Sequence, residues 1–291
     1  MGSQSQNDPH PRVQQSIQTT VHPETQRATN NIDPSILPGY TAAPLPNHQL
    51  STRCCCISLH GRDMLTLTHF PRVLVQQVRA ILLKFSNGIQ DEYEPSRTSR
   101  SDPNIYCTEF KLRGCPWQGG GSEGVMARRM ICQLMKMMAQ RGWNLIQAAD
   151  ISKHEHSMDV MFFESQVRED THVVDSSVEM FAVSFNRTDC IRIMDCSSMV
   201  PLVRATIQKY WTQGIQSDGK YCGAYQFQLR GNPFYTRGSE EVRIRMLLCQ
   251  ILTTIRNQGF KLYSSVDLSR GGEDGRDLES WMFRKVGPAW S

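Results

Sequence analysis

Phe110-Lys111-Leu112-Arg113-Gly114-Cys115-Pro116-Trp117 recurs as Phe227-Gln228-Leu229-Arg230-Gly231-Asn232-Pro233-Phe234. Extended without a gap, residues 110–152 and 227–269 share 16 identities in 43 positions. Residues 57–90 match 183–216 more faintly, through Asp63 with Asp189, Ile81 with Ile207 and Gly88-Ile89-Gln90 with Gly214-Ile215-Gln216. The two registers differ by nine residues, absorbed by a Pro/Ser/Arg-rich stretch around 93–106 that reads as a loop insertion in the first copy. The chain is a tandem duplication, and a repeat of this kind decides the architecture before any single element does.

Periodicity gives each copy the same order of elements. A strand over Cys55–Leu59, a turn and an alternating strand over Met64–Thr68 correspond to Phe181–Phe185, Asn186-Arg187-Thr188 and Cys190–Met194. An amphipathic helix follows, with Leu74, Val78, Ile81, Leu82 and Phe85 in copy one and Val203, Ile207 and Trp211 in copy two. Pro201 suits its first turn, and Gly88 and Gly214 stop it. A strand at Thr108–Leu112 or Tyr225–Leu229 leads through the Pro-aromatic turn into a longer helix, with Ser122 and Ser239 as the expected N-caps. Its stripes are Val125, Met130, Ile131, Leu134, Met138 and Val242, Leu247, Leu248, Ile251, Ile255, closed by Gly142 and Gly259. Two last strands are expected at Trp143–Ala149 with Met158–Phe163, and at Phe260–Val266 with Leu278–Phe283.

The fold class is therefore α+β: two tandem homologous modules, each roughly ββαβαββ, with two helices packed on one face of a sheet. The expected divisions are an arm over 1–50, copy one over 51–165, a linker over 166–178, copy two over 179–287 and a tail over 288–291. The arm is rich in Gln, Asn, Thr, Ser and Pro and carries five charges in 50 residues. That composition is too polar to offset the backbone entropy of folding, so it reads as disordered. Ile36-Leu37-Pro38-Gly39-Tyr40 is its one candidate docking peptide.

Composition excludes more than it assigns. Thirty-two basic against 28 acidic residues give a formal charge of +4, far from the balance of a protein built around a polyanion. No apolar run approaches the length of a membrane span, and the N-terminus has no signal-peptide core. Ten cysteines without a Cys-x-x-Cys pair point to a reducing cytoplasm or nucleus, with Cys132 and Cys249 expected as buried apolar thiols.

The two copies act as a two-row comparison. Residue types kept in both are the Leu-Arg-Gly-x-Pro-aromatic turn, the Gly-Ser-Glu start (Gly121-Ser122-Glu123 and Gly238-Ser239-Glu240), Arg128/Arg245, Cys132-Gln133/Cys249-Gln250 and Asp150/Asp267. Arg113 with Asp150, and Arg230 with Asp267, sit at strand ends, where an ion pair could fasten the sheet rim. The functional alternative groups Arg113, Trp117 and Asp150, and Arg230, Phe234 and Asp267, as surface pockets for an acidic or peptide ligand.

Other constellations fall short of chemistry. Gly119-Gly120-Gly121-Ser122-Glu123-Gly124 lies where phosphate loops live, but lacks the Gly-Lys-Ser/Thr ending, carries a repelling Glu and does not recur. His154-Glu155-His156 stands in a variable loop and has no counterpart in copy two. Cys54-Cys55-Cys56 has no further zinc ligands at productive spacing. No nucleophile–base pair recurs, so a catalytic site, a metal and a cofactor are all unexpected. Arg97, Arg100, Lys111, Arg113, Arg128, Arg129, Arg237, Arg243 and Arg245, with Tyr106, Trp117, Phe234 and Tyr235, outline a basic-aromatic surface suited to single strands, though acids are interspersed.

The pattern Phe-x-Leu-Arg-Gly-x-Pro-aromatic, Gly-Ser-Glu, Gly-aromatic-x-Leu, Asp-x-Ser over 51–287 resembles a eukaryotic domain family of uncharacterised function. Some of its fungal members carry labels linking them to subunit thirteen of the Mediator transcription complex. The resemblance implies a non-enzymatic intracellular protein with a leaning to the nucleus, and transfers no site residue. The sequence thus predicts an interaction or scaffold protein with an unidentified protein partner. Nucleic-acid binding or a transcription-associated role is the alternative, and an enzyme of unrecognised type is the third reading.

Overall fold

The fold is described from a computed structural model, over residues 52–93, 107–118, 120–151, 158–165, 174–268 and 279–287. The arm over 1–50, the inserted loop, His154-Glu155-His156, most of the 166–178 linker and the 288–291 tail lie outside these residues. Copy one contains β1 (Arg53–His60), β2 (Met64–Thr68), α1 (Arg72–Phe85), β3 (Ile89–Tyr93), β4 (Cys107–Leu112), α2 (Gly121–Gln140), β5 (Asn144–Ala149) and β6 (Val160–Ser165). Copy two repeats it with β7 (Met180–Asn186), β8 (Cys190–Met194), α3 (Met199–Tyr210), β9 (Ile215–Tyr221), β10 (Ala224–Leu229), α4 (Ser239–Asn257), β11 (Phe260–Val266) and β12 (Ser280–Lys285).

Each module is a six-stranded, wholly antiparallel sheet, ordered β3-β4-β2-β1-β6-β5 in copy one and β11-β12-β7-β8-β10-β9 in copy two. Each holds one strand more than the sequence suggests. β3 and β9 follow the first helix and pair with β4 and β10 at the sheet edge. Their sequences, Ile-Gln-Asp-Glu-Tyr and Ile-Gln-Ser-Asp-Gly-Lys-Tyr, are too polar to alternate, because an edge strand meets the core along one side only. Cys222 and Gly223, with φ of 48° and 86°, close the β9–β10 hairpin as a two-residue turn of the kind whose twist suits antiparallel strands.

Side-chain alternation assigns the two faces of each sheet. In copy one Ile57, Leu65, Leu67, Phe110, Leu112, Met161 and Phe163 point to α1 and α2 and are buried with Leu74, Val78, Leu82, Met130, Leu134 and Met138. In copy two Phe181, Val183, Phe185, Ile191, Ile193, Phe227, Leu229 and Phe283 point to α3 and α4 and meet Val203, Ile207, Ile244, Leu247, Ile251 and Ile255. Each such side chain, fully buried, contributes about 1.5–3 kcal/mol of transfer free energy.

The modules differ in what covers the opposite sheet face. In copy two that face carries Met180, Ala182, Met194, Ala224 and Met282, all buried, and these belong to the hydrophobic cluster of copy one. Helix α2 lies on β7 and is buried almost all round, through Val125, Ala127, Arg128, Ile131, Cys132, Met135 and Ala139 as well as its inward residues. The layers therefore run α3/α4, second sheet, α2, first sheet, with α1 packed beside α2 on the first sheet and exposed on its outer side. This head-to-tail packing of repeats makes residues 49–291 one compact unit.

Candidate functional site

The recurring turn is tied down identically in both copies. Leu112 N donates to Asp63 O at 2.8 Å, Arg113 N to Gly88 O at 2.8 Å and Trp117 N to Arg62 O at 3.2 Å. The counterparts are Leu229 N to Asp189 O at 2.9 Å, Arg230 N to Gly214 O at 3.0 Å and Phe234 N to Thr188 O at 2.9 Å. The motif thus knots the first hairpin turn, the end of the first helix and the start of the second.

The acid of Gly-Ser-Glu completes the knot. Glu123 accepts from Cys115 N at 3.0 Å and from Asn87 Nδ2 at 2.7 Å, and Glu240 accepts from Gln213 Nε2 at 3.0 Å. Gly114 and Gly231 have φ of 83° and 75°, and a Cβ on either would stand within 2.5 Å of the Glu123 carboxylate or the Gln213 amide. These glycines recur because the turn needs both the left-handed backbone and the space. Ser122 and Ser239 are not caps: the N-cap positions are Gly120 and Gly238, and no side chain bonds there.

Of the six site residues suggested by sequence, Trp117 is misplaced as a contact residue. It is fully buried, and its Nε1 donates to Met64 O at 2.9 Å, so it anchors the core and is closed to a ligand. Phe234 is half-buried, packed edge-on to Phe185 with ring centroids 5.6 Å apart. Arg113 and Arg230 are exposed, and among the described residues neither guanidinium has an ion-pair partner. Arg113 lines a shallow pocket of about 80 Å³ with Phe85, Ser86, Asn87, Pro116 and Glu123.

Asp150 and Asp267 do not join them. They follow β5 and β11, four strand positions from β4 and β10, or roughly 19 Å across the sheet. Both the rim ion pair and the Arg-aromatic-Asp pocket within a module are therefore ruled out by strand order. Asp267 serves the junction between copies: its N–H donates to Asp159 Oδ2 at 2.8 Å, and Asp159 N donates to Asp267 O at 3.3 Å. Burial, only partly opposed by that hydrogen bond, raises the Asp159 carboxyl above its ordinary value.

The remaining junction is polar inside an apolar seam. Arg128, 1% exposed, donates from Nε to Ser280 Oγ and from Nη1 to Gly124 O, both at 2.9 Å. Arg129 pairs with Asp195 at 2.7 Å, Arg284 Nη1 donates to Asn144 Oδ1 at 2.8 Å, and Leu145 N donates to Tyr263 Oη at 2.6 Å. Cys132 is buried in this seam, and burial pushes its thiol up to about 12.

The ends of the stack are α4 and the first sheet; apolar side chains are also exposed on α1, at Val73 and Leu83. The outer face of α4 exposes Val242 (54%) and Met246 (58%) beside Cys249, with Arg243, Arg245 and Arg256 around them and Tyr235 (79%) just before the helix. Val242 and Cys249, expected in the core from their periodicity, are thus on the surface. The first sheet presents the other face, where Cys54, His60 and Glu164 are exposed, Cys56, Thr68, Glu109 and Lys111 are half-buried, and Ser58 and Thr66 at the centre are buried. Sequence reasoning missed that α2 covers a second sheet. The available signal was its apolar and small residues on both sides, the mark of a helix buried all round.

Among the described residues no three His, Cys, Asp or Glu side chains gather as metal ligands, and no helix is long and apolar enough to cross a membrane. Together these features define a tandem α+β repeat protein whose kept residues build the module itself. A domain family of uncharacterised function matches the chain twice, over residues 53–164 and 179–284, and the chain belongs to that family as a two-copy member. No curated protein and no solved structure matches it.

Proposed function

We propose that this is an interaction protein of the scaffold type, acting through the uncovered ends of its two-module stack and not through a catalytic centre. The observation that carries this is the outer face of α4. Val242, Met246 and Cys249 are exposed there, while their counterparts in α2, Val125, Arg129 and Cys132, lie against the second sheet or pair with Asp195. The helix position that packs on a sheet in copy one recurs in copy two without a covering partner among the described residues, with an aromatic side chain and arginines at its rim, the residue types enriched at interface anchors.

The residues that recur in both copies make the turn, the cap region and the seam, which supports binding over catalysis. All ten cysteines are unpaired thiols, in keeping with a reducing compartment, cytoplasm or nucleus. The test is affinity purification of the full chain and of Val242→Glu/Met246→Glu, each with and without nuclease. The expected result is a protein partner that survives nuclease and is lost from the variant at unchanged melting temperature. An identical captured set from both proteins overturns the reading. Capture that disappears with nuclease and with salt moves the assignment to nucleic acid.

A further inference from the structure

We infer that copies of this chain associate head to tail, the outer face of α4 in one copy docking on the outer face of the first sheet in the next. The inference rests on the reading that the uncovered ends are binding surfaces, and it names an occupant for both.

The packing inside the chain is the template. A helix face of copy one sits on a sheet face of copy two, which is a heterologous contact: the two surfaces differ, and using one of each leaves one of each. The face left on the first sheet carries small, weakly polar side chains, Cys54 exposed and Cys56, Thr68 and Cys107 half-buried, with Met64 and Phe162 among them and Ser58 and Thr66 buried at its floor. The face left on α4 carries the exposed apolar pair Val242 and Met246 one turn apart, followed by Cys249.

The two ends differ in the sign of their charge. Glu109 and Glu164 occupy the first-sheet positions held in the second sheet by Gln226 and Arg284, as their strand partners show. Asp91, opposite Lys111 on the same face, adds a third acid against that single lysine. On the α4 side Arg243, Arg245 and Arg256 stand against Glu240 and Glu241, while Arg129 and Lys136 of α2 have given way to Met246 and Thr253. An acidic sheet face and a basic helix face are complementary, which favours this encounter and makes it salt-sensitive. Glu241 and Arg256 stand where α2 has Gly124 and Ala139, so copies approach less closely than modules do, and the contact between copies is the weaker one. A heterologous contact leaves one free surface of each kind on a pair, so association continues beyond two, into a ring or an open chain.

The experiment is sedimentation velocity of the full-length chain over a hundredfold concentration range, at low and at physiological salt. In parallel, the labelling rates of Cys54, Cys249 and Cys222, the three exposed thiols, are read by mass spectrometry. Mass is expected to grow past the dimer and to fall with salt. Labelling of Cys54 and Cys249 slows several-fold on association, while Cys222, on the β9–β10 turn, keeps its rate. Val242→Glu/Met246→Glu at the helix end and Cys54→Arg/Glu164→Arg at the sheet end each remain monomeric alone, with unchanged melting temperatures, and regain association when mixed.

A mass that stays monomeric across the range overturns the inference. So does a dimer that stops at two, or one that only the helix-end variant abolishes. If mass stays monomeric while the helix-end variant still loses its captured partner, self-association fails and the interaction reading stands. If mass grows as described while the captured set is unchanged by the variant, self-association stands and the outside partner docks elsewhere.

Discussion

Arg128 and Arg245 occupy the same position in two copies of one helix, yet Arg128 is buried and donates to Ser280 Oγ at 2.9 Å across 152 residues of sequence, whereas Arg245 stands in solvent beside Glu241. The pair separates what a module does in the middle of a stack from what it does at the end. It also gives a direct contrast. Arg128→Ala removes charge-assisted bonds and the packing of its stem, and is expected to cost about 2–3 kcal/mol. Arg245→Ala loses one exposed i,i+4 pair, at most about 0.5 kcal/mol. Urea unfolding of the two variants checks this; equal losses would mean that the seam does not depend on Arg128.

The aromatics of the recurring turn are ranked by burial and not by motif position. Trp117→Ala opens a cavity in a closed core and breaks the bond to Met64 O, for an expected loss of about 3–5 kcal/mol. Phe234→Ala loses part of that, about 1–3 kcal/mol, because the ring is only half-covered. Tyr235→Ala, on the open surface, shifts stability by no more than about 0.5 kcal/mol. The order of the three denaturation midpoints is the readout.

Two glycines with left-handed backbone separate conformational strain from crowding. A Cβ at Gly61, φ 60°, meets nothing within 4 Å, so Gly61→Ala carries only the strain, about 1–2 kcal/mol. At Gly114 the same change also displaces Glu123 from Cys115 N, adding about 1 kcal/mol for the lost bond. Thermal melts of both variants should show Gly114→Ala as clearly the worse, and equal losses would remove the role given to Glu123.

Asp159 ties pH to the junction between copies. Burial raises its folded-state value above the ordinary 3.8, so the folded protein holds the proton more tightly than the unfolded chain. Stability from this group is then greatest in acid and falls as pH rises from the ordinary carboxylate value through the raised one. Asp159→Asn keeps an acceptor for Asp267 N and removes the buried charge. Its melting temperature should match or exceed wild type at neutral pH, with any advantage shrinking in acid. A variant that melts lower at neutral pH would show that the charged form is the one the junction needs.

Much of the module was legible because local rules agree with the tertiary answer. The alternation of Met64–Thr68, the spacing of Leu74, Val78 and Leu82, and the glycines at 88, 142, 214 and 259 each read correctly. β3 and β9 were not legible, since an edge strand is released from the alternation that marks a central one. The site was less legible still. Recurrence of Arg113, Trp117 and Asp150 looked like a ligand pocket, but recurrence reports any shared need, and here the shared need was the knot of backbone hydrogen bonds at Asp63, Gly88 and Arg62.

By itself the sequence determined the duplication, the α+β class and the order along the chain of all strands but the edge strands β3 and β9, because these follow from periodicity and from a comparison of the two halves. Only the tertiary structure decided that α2 covers the second sheet, that Asp150 lies four strands from Arg113, and that Val242 and Cys249 are exposed where Val125 and Cys132 are buried. The physical reason is that a helix carries no record of how many neighbours it will have. Near-identical positions become core or surface according to whether another layer is stacked upon them, and that depends on contacts between residues more than a hundred positions apart, such as Arg128 with Ser280.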